Sequence, residues 1–293
     1  MNRINYIFAG LSLLFVNTLS AQKAVVDSAA TALEYKMEVY QKENIPFKKP
    51  IPYPTIREAD VVFEKTVWRM VDLREKQNLS LYYPTSNIGS RVSLVNLLLK
   101  GVESGEITAY STDDVNNEFV SPMTKEQLDV QFGARNDTIM VVDEDGNMVE
   151  QPRNTPRRIE EVKMLMIKEK IYFDKRHSVL NRMVIGICPI RLYSRDSADP
   201  DAPIERVKTM WVYVPEARPI MARHPVFNRN NDTQNISFDD FFMQHRYSGP
   251  IYQISNVYNN RTIEEYASGL DVMYEAQRIE NEIFDWEQDL WEY

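Results

Sequence analysis

The stretch that decides the fold is VKMLMIKEKIYF at residues 162–173, followed after a short polar gap by RMVIGICPIRLY at residues 182–193. Both segments are rich in β-branched, aromatic and methionine residues, which favour strands. A third segment of this kind, VKTMWVYV, occupies residues 207–214 and follows a polar connection at residues 194–205. The second half of the chain therefore predicts an antiparallel meander.

Helical patterns precede these strands. Thr55 and Glu58 have the spacing of a capping box, and apolar residues then recur every three or four positions, which predicts a helix from Thr55 to about Lys76. The same periodicity predicts a second helix over residues 90–103, ended by Gly105 in a left-handed conformation. A strand is predicted at residues 107–110.

A hairpin is predicted between residues 138 and 150, because Asp145-Gly146 is a typical tight-turn pair between two strand-like runs. Pro152 and Pro156, with arginines around them, are typical of a linker. We therefore predict an α+β fold in which helices pack on an antiparallel sheet. We expect two lobes, residues 55–150 and 151–293.

The C-terminal region combines aromatic and acidic residues. Ser237 and Asp240 predict the cap of a short aromatic helix, and residues 262–290 form a long amphipathic pattern. Aromatic side chains dominate binding energy at protein interfaces, and acidic patches select basic partners. One interpretation is a docking surface that uses Trp286, Asp289, Trp291 and Tyr293; the alternative is that Trp286 belongs to the core and the charges face solvent.

The N-terminal region predicts export. Residues 1–21 combine one basic residue, a short apolar stretch and small residues before the expected cleavage point, as in a secretory signal peptide. An uncleaved membrane anchor is the alternative, although the apolar stretch is short for a membrane span. Residues 22–54 then predict an extended arm, because Pro50, Pro52 and Pro54 restrict the backbone around Tyr53. This arm either is a flexible leader or contacts a neighbouring subunit.

Charge and cysteine content narrow the class of protein. The chain has 34 basic and 43 acidic residues, a net charge of −9, which disfavours nucleic acid and anionic lipid as partners. Cys188 is the single cysteine, so the chain can form neither an internal disulfide nor a cysteine cluster for zinc. No cysteine lies near the expected cleavage point for lipidation, so we expect a periplasmic protein without direct membrane insertion.

Sequence motifs for catalysis are missing. The three histidines are far apart, and the glycine-rich and nucleophile motifs of nucleotide-binding and acyl-transfer enzymes do not occur. We therefore predict no catalytic, cofactor or metal site and a non-enzymatic protein. Two other classes stay open: a periplasmic glycan or peptidoglycan hydrolase, for which Glu103 and Glu106 are a candidate pair, and a small-ligand binding protein.

Collinear segments across residues 55–293 resemble the GldN/PorN gliding-motility family. These segments are VWRMVDLREKQNLSLYYP at 67–84, GEITAY at 105–110, KEKIYFDKRHSVLNRMVIGICPI at 168–190, WVYVPEARPIM at 211–221, residues 228–266 with SFDDFF inside them, and WEQDLWEY at 286–293. The proline-rich arm is not covered.

The resemblance implies a periplasmic component of the type IX secretion and gliding machinery. It implies association with an outer-membrane lipoprotein, GldK/PorK, in a ring that is held at the inner face of the outer membrane. The inner-membrane motor protein GldM/PorM is a further expected partner. The resemblance does not assign individual binding residues, so the arm and the C-terminal helix are the contact segments that the residues themselves suggest.

Overall fold

A computed structural model describes residues 45, 47–88, 91–113, 118–142, 148–194, 203–231 and 236–289. The predicted signal peptide at residues 1–21, the arm up to residue 44, the Asp145-Gly146 turn, Trp291 and Tyr293 lie outside the described residues.

The described residues form strands and helices of very different lengths. The strands are β1 (Val61–Asp72), β2 (Ala109–Tyr110), β3 (Arg135–Val142), β4 (Met148–Thr155), β5 (Val162–Asp174), β6 (Val179–Ser194), β7 (Ile204–Lys208), β8 (Trp211–Tyr213), β9 (Pro225–Val226), β10 (Ile236–Ser237) and β11 (Ile251–Ile254). The helices are α1 (Leu79–Tyr82), α2 (Leu94–Ser104), α3 (Lys125–Gln131), α4 (Val214–Ala222), α5 (Phe238–Met243) and α6 (Leu270–Asp289). Three 3₁₀ turns cover Glu58–Asp60, Ile159–Glu161 and Ile263–Glu265.

Seven strands form one antiparallel sheet in the order β11-β1-β5-β6-β8-β2, with β7 also paired to β6. The meander predicted from residues 162–214 is confirmed, although its third strand is divided into β7 and β8. The predicted hairpin is also confirmed, since β3 pairs with β4 as a separate two-stranded sheet.

The predicted helix over residues 55–76 is wrong, because most of this segment is strand β1. β1 lies between β5 and β11, and both of its faces are covered from Val67 to Val71. Val67 and Val71 pack into the clusters on one face, while Trp68 and Met70 pack on the other. A strand that is buried on both faces carries apolar residues in close succession. Some of these residues are then three or four positions apart, and this spacing is also that of a helix.

Helices cover one face of the sheet, as the predicted α+β fold requires. The larger apolar cluster joins α2, α4 and α5 to strands β5, β6 and β8. A second cluster joins α6 to β1, β5 and β11 through Ile279 and Ile283. The opposite face carries a third cluster with Trp68 and Trp211.

The sheet does not divide where two lobes were predicted. Ile45–Tyr293 forms one compact unit, and strand β1 from the first half pairs with β5 and β11 from the second. Pro152 lies within strand β4 rather than in a linker. The prolines near residues 150–157 therefore mark a hairpin strand and the connection after it, not a boundary between two units.

The sequence signals at helix ends have mixed outcomes. Ser93 caps α2, and Gly105 ends it with a positive φ of 78°. Ser237 and Asp240 form the predicted capping box of α5. The last helix starts later than predicted, because the capping box of Thr262 and Glu265 starts a 3₁₀ turn and Gly269, with φ of 62°, precedes α6.

Candidate protein-interaction surfaces

The end of the proline-rich arm contacts helices α4 and α5 of its own chain. Residues 48–54 form neither helix nor strand. The guanidinium of Arg218 lies 4.1 Å from the centre of the Tyr53 ring and also donates a hydrogen bond to the carbonyl of Ile51. Lys48 forms an ion pair with Asp240. The arm is therefore attached at three points near its end.

Arg218 is the centre of this attachment. It is buried on α4, and its Nε and Nη2 atoms donate to the two carboxylate oxygens of Asp239 at 2.7 and 3.2 Å. A bidentate carboxylate satisfies a buried guanidinium, and the first turn of α5 favours an acidic residue. The remaining donor capacity of Arg218 binds the arm, which could be predicted from neither segment alone.

The environment of the attachment changes the acidity of its members. Burial raises the pKa of the Tyr53 hydroxyl, although Arg218 opposes the change. Burial disfavours the ionised form of Asp240, but hydrogen bonds from Lys48 and Ser237 outweigh it and lower the pKa of that carboxyl. Both residues therefore keep the charge state that the attachment needs at neutral pH, a neutral Tyr53 and an ionised Asp240.

The predicted arm residues differ in their exposure to solvent. Tyr53 is half-buried against Arg218, and Pro50 is also partly covered. Pro52 and Pro54 are exposed. Among the neighbouring residues, Phe47 and Ile51 are 81% and 65% exposed. Besides the two exposed prolines, Phe47 and Ile51 therefore present apolar side chains to solvent, and sequence reasoning did not single them out.

The C-terminal helix α6 packs on the sheet by one narrow face. Ala276, Ile279 and Ile283 are its buried residues, and they contact Val67 and Ile171 among others. The predicted apolar stripe is only partly used, since Leu270 and Met273 near the start of the helix are exposed. The outward side of α6 thus keeps large apolar residues.

Trp286 occupies the edge of this packing. Its ring stacks on that of Phe63 with centroids 5.0 Å apart and an interplanar angle of 25°, and 45% of the residue is exposed. Trp286 thus supports the attachment of α6 to β1 while part of its surface faces solvent. Asp289 is exposed at the end of the helix.

A buried polar network lies beneath α6. Arg69 on β1 contacts Glu169 on β5 at 3.2 Å and Glu280 on α6 at 2.9 Å, and it donates to the carbonyl of Gly249 at 3.0 Å. The hydroxyl of Tyr247 donates to Glu169 at 2.6 Å. Sequence reasoning missed these residues. The signal that could have found them is a charged residue, such as Arg69 or Glu169, within an otherwise apolar strand.

This network lines a pocket of about 170 Å³, which also includes Arg182 and His245. Ligand pockets for small molecules are typically about 300–1,000 Å³ and mostly apolar. Burial and the adjacent Glu169 raise the pKa of Tyr247 well above its ordinary value, so this hydroxyl stays a hydrogen-bond donor. The arrangement holds α6 on the sheet and offers little room for a substrate.

A second buried ion pair lies on the opposite face of the sheet. Lys168 contacts Glu118 at 2.7 Å, and its ammonium lies 4.9 Å from the centre of the Trp68 ring. The indole of Trp68 donates to Glu118 at 2.9 Å. This contact ties Glu118 to the sheet, and both Trp68 and Trp211 are buried.

The candidate hydrolase pair is engaged elsewhere. Glu103 forms an ion pair with Arg157, and Glu106 forms one with Arg223 at 2.5 Å. Both carboxylates are about half exposed, and each is paired with an arginine on the surface. These residues behave as surface ion pairs.

Other reactive groups are also held in structural contacts. Burial raises the pKa of the Cys188 thiol to about 12. The Nδ1 atom of His224 lies 2.9 Å from the carbonyl oxygen of Ile220. Among the residues that the structure describes, no group of three or more His, Cys, Asp or Glu could hold a metal ion. In the same residues, no helix combines the length and apolar character needed to cross a membrane.

Comparison with known proteins identifies the family. A search of curated proteins finds no match to the chain. A family model described as gliding motility associated protein GldN matches residues 56–292, which is most of the chain and includes the seven-stranded sheet and the helices α1–α6 of the described residues. The chain therefore belongs to the GldN family of gliding motility associated proteins.

Proposed function

We propose that the chain is a non-enzymatic structural subunit of the type IX secretion and gliding machinery and acts in the periplasm. Family membership supports a role in gliding motility. The ion-paired carboxylates, the small polar pocket and the buried thiol add no feature that favours catalysis.

In this proposal the chain associates with an outer-membrane lipoprotein of the GldK/PorK type and with further copies of itself in a ring. The motor protein GldM/PorM would be the partner on the inner-membrane side. Ring closure requires two different surfaces on each subunit that meet head to tail. We propose that the arm segment and helix α6 supply part of these surfaces or of the contact with the lipoprotein.

The observation that carries the proposal is the arm segment. Lys48, Ile51 and Tyr53 of this segment contact Asp240 or Arg218, while the side chains of Ile51 and the neighbouring Phe47 remain largely exposed. A segment that is ordered before binding loses less conformational entropy on association. Ile51, on the attached backbone, and Phe47 beside it are suited to contact a neighbouring protein.

The test is mass photometry and negative-stain microscopy of the exported chain, alone and mixed with the soluble part of the lipoprotein. Large closed assemblies that form only in the mixture are expected. Phe47→Ser with Ile51→Ser should reduce their number, whereas Val130→Ser, at a similarly exposed site on α3, should not. A chain that stays monomeric with the lipoprotein would refute the proposed function.

A further inference from the structure

The outward face of α6 carries a seven-residue repeat. Its members are separated alternately by four and three positions, which keeps them in one row along a helix. These residues, here called the outward stripe, are Leu270, Tyr274, Gln277, Asn281, Phe284 and Gln288. The row lies opposite Ala276, Ile279 and Ile283, which pack on the sheet.

The outward stripe is exposed and free of charge. Leu270, Tyr274 and Phe284 are 70%, 71% and 57% exposed, and Met273 beside them is also exposed. The side-chain amide of Gln277 donates a hydrogen bond of 3.1 Å to the Oδ1 atom of Asn281. Eight of the 20 residues of α6 are charged, yet none of these lies on the outward stripe. A helix that needed only solubility would not keep its charges off its most exposed side.

The flanks of the outward stripe are acidic. Helix α6 has seven acidic residues and one basic residue, a net charge of −6. At 3.6 residues per turn, Asp271, Asp285 and Asp289 lie along one flank and Glu287 along the other. Within the described part of the chain, none of these four carboxylates has an ion-pair partner, whereas Glu275 and Glu282 are paired with Arg278.

We propose that the outward stripe binds a basic amphipathic helix of another protein. The alternating spacing of four and three residues is the pattern by which one helix packs against another, with apolar residues in the seam and charges at its borders. Lysine or arginine on the borders of the incoming helix would meet the unpaired carboxylates. Tyr274 and Phe284 are the apolar anchors, and the polar Gln277 and Asn281 between them set the register.

Charge argues against a second copy of α6 as the occupant. Two such helices would bring two net charges of −6 together along their whole length, in either orientation. Like charges placed opposite each other disfavour association. A basic partner gains from the same charges, and its association should be faster at low salt.

This inference rests on the proposed function in one respect, since it takes the natural occupant to be another protein of the same machinery. The probe for the test is a labelled synthetic helix of about three heptads, with leucine in the seam and lysine at the borders. A second peptide carries glutamate at the borders. A third has the composition of the first in scrambled order, so that it keeps the charge but loses the seam.

Binding to the exported full-length chain is measured by fluorescence anisotropy. We expect the basic seam peptide to bind, the other two to bind at least about tenfold more weakly, and added salt to weaken binding. Tyr274→Ser with Phe284→Ser should weaken binding at least about tenfold. The control, Val130→Ser with Ile204→Ser, removes similarly exposed apolar groups elsewhere and should change affinity less than about twofold.

Three results would overturn the inference. The first is that the basic peptide fails to bind, or binds no better than its scrambled form. The second is equal affinity for the Tyr274→Ser/Phe284→Ser variant, provided that its circular dichroism shows an intact fold. The third is a dimer of the unmodified chain in analytical ultracentrifugation that this variant loses, which would assign the outward stripe to a second copy.

The lipoprotein assembly assay separates this inference from the proposed function. If closed assemblies form but the peptide does not bind, the inference fails alone. If the peptide binds but no assembly forms with the lipoprotein, the proposed function fails and the outward stripe remains a binding site.

Discussion

Replacing Arg69 with methionine tests whether the network beneath α6 holds the helix on the sheet. Arg69 joins three elements, through Glu169 on β5, Glu280 on α6 and the carbonyl of Gly249. Methionine preserves most of the aliphatic volume and removes the charge. The variant therefore isolates the electrostatic contribution of the guanidinium from its packing.

The two ion pairs of Arg69 differ in burial, and this difference sets the expected magnitudes. The side chain of Glu169 is 1% exposed, and removal of one member of a buried pair costs about 3–5 kcal/mol because the other charge is left without compensation. The side chain of Glu280 is 40% exposed, so water screens its pair and Glu280→Gln should cost only ~0.2–1 kcal/mol. Arg69→Met should therefore be much the more destabilising variant.

A second substitution tests the cause. In Arg69→Met with Glu169→Gln the buried negative charge is gone, while the amide oxygen can still accept the hydrogen bond of Tyr247. Most of the lost stability should then return, because replacing a buried ion pair by neutral groups is often close to neutral.

Urea denaturation followed by tryptophan fluorescence gives the free energies of unfolding. Arg278 forms an exposed ion pair on α6, so Arg278→Met is the matched control. This variant should lose less than about 1 kcal/mol of unfolding free energy. The reasoning is refuted if Arg69→Met loses no more stability than Glu280→Gln, or if the double variant is as unstable as Arg69→Met alone.

Three further variants or measurements probe other features of the fold. Gly105→Ala should lower the free energy of unfolding in urea by about 1 kcal/mol, because φ is 78° and an added Cβ would meet no atom within 4 Å. Gly105→Asn should lower it less, because asparagine adopts this conformation more readily. Equal losses for the two variants would contradict a purely conformational cause. Burial lowers the pKa of His245 below 6.5, so the unfolded chain binds the proton more readily and native stability should fall as the pH drops below that value. The melting temperature of the unmodified chain should therefore fall between about pH 7.5 and 5.5. In His245→Asn, whose side chain tolerates the φ of 48°, this fall should be smaller. If the melting temperature of the variant depends on pH as steeply as before, His245 is not the source. With a pKa of about 12, Cys188 should resist iodoacetamide at about pH 8 in the native chain and react in urea, as judged by intact mass; equal rates would show that the thiol is accessible.

The sequence predicted those features that local chemistry determines. The cap of α5 and the stop of α2 at Gly105 follow from side chains within three residues of the helix ends, whereas the start of α2 was predicted at residue 90 and its cap is Ser93. The meander follows from strands that are apolar on both faces and adjacent in the chain. Each of these signals can be evaluated without knowing what the rest of the chain covers.

Features that depend on distant segments were missed. β1 has the β-branched and aromatic content of a strand, but its apolar residues also fit helical spacing, and the segment was predicted as a helix. Nothing in the local sequence shows that this segment is a central strand of a sheet. Arg69 is 100 residues from Glu169 and 211 from Glu280, so no spacing rule connects them. The attachment of the arm to Arg218 spans 167 residues and is invisible for the same reason.

The position of Glu280 explains how an amphipathic helix comes to present one defined outer face. The apolar contacts of Ala276, Ile279 and Ile283 are not directional, and similar burial could be reached with the helix shifted or rotated. An ion pair to a fixed, buried guanidinium is directional and is formed in one register only. The Arg69–Glu280 contact can thus select one arrangement although the side chain of Glu280 is 40% exposed and the pair adds little stability. Because Arg69 fixes α6 through Glu280, the same contact fixes the direction in which the outward stripe faces.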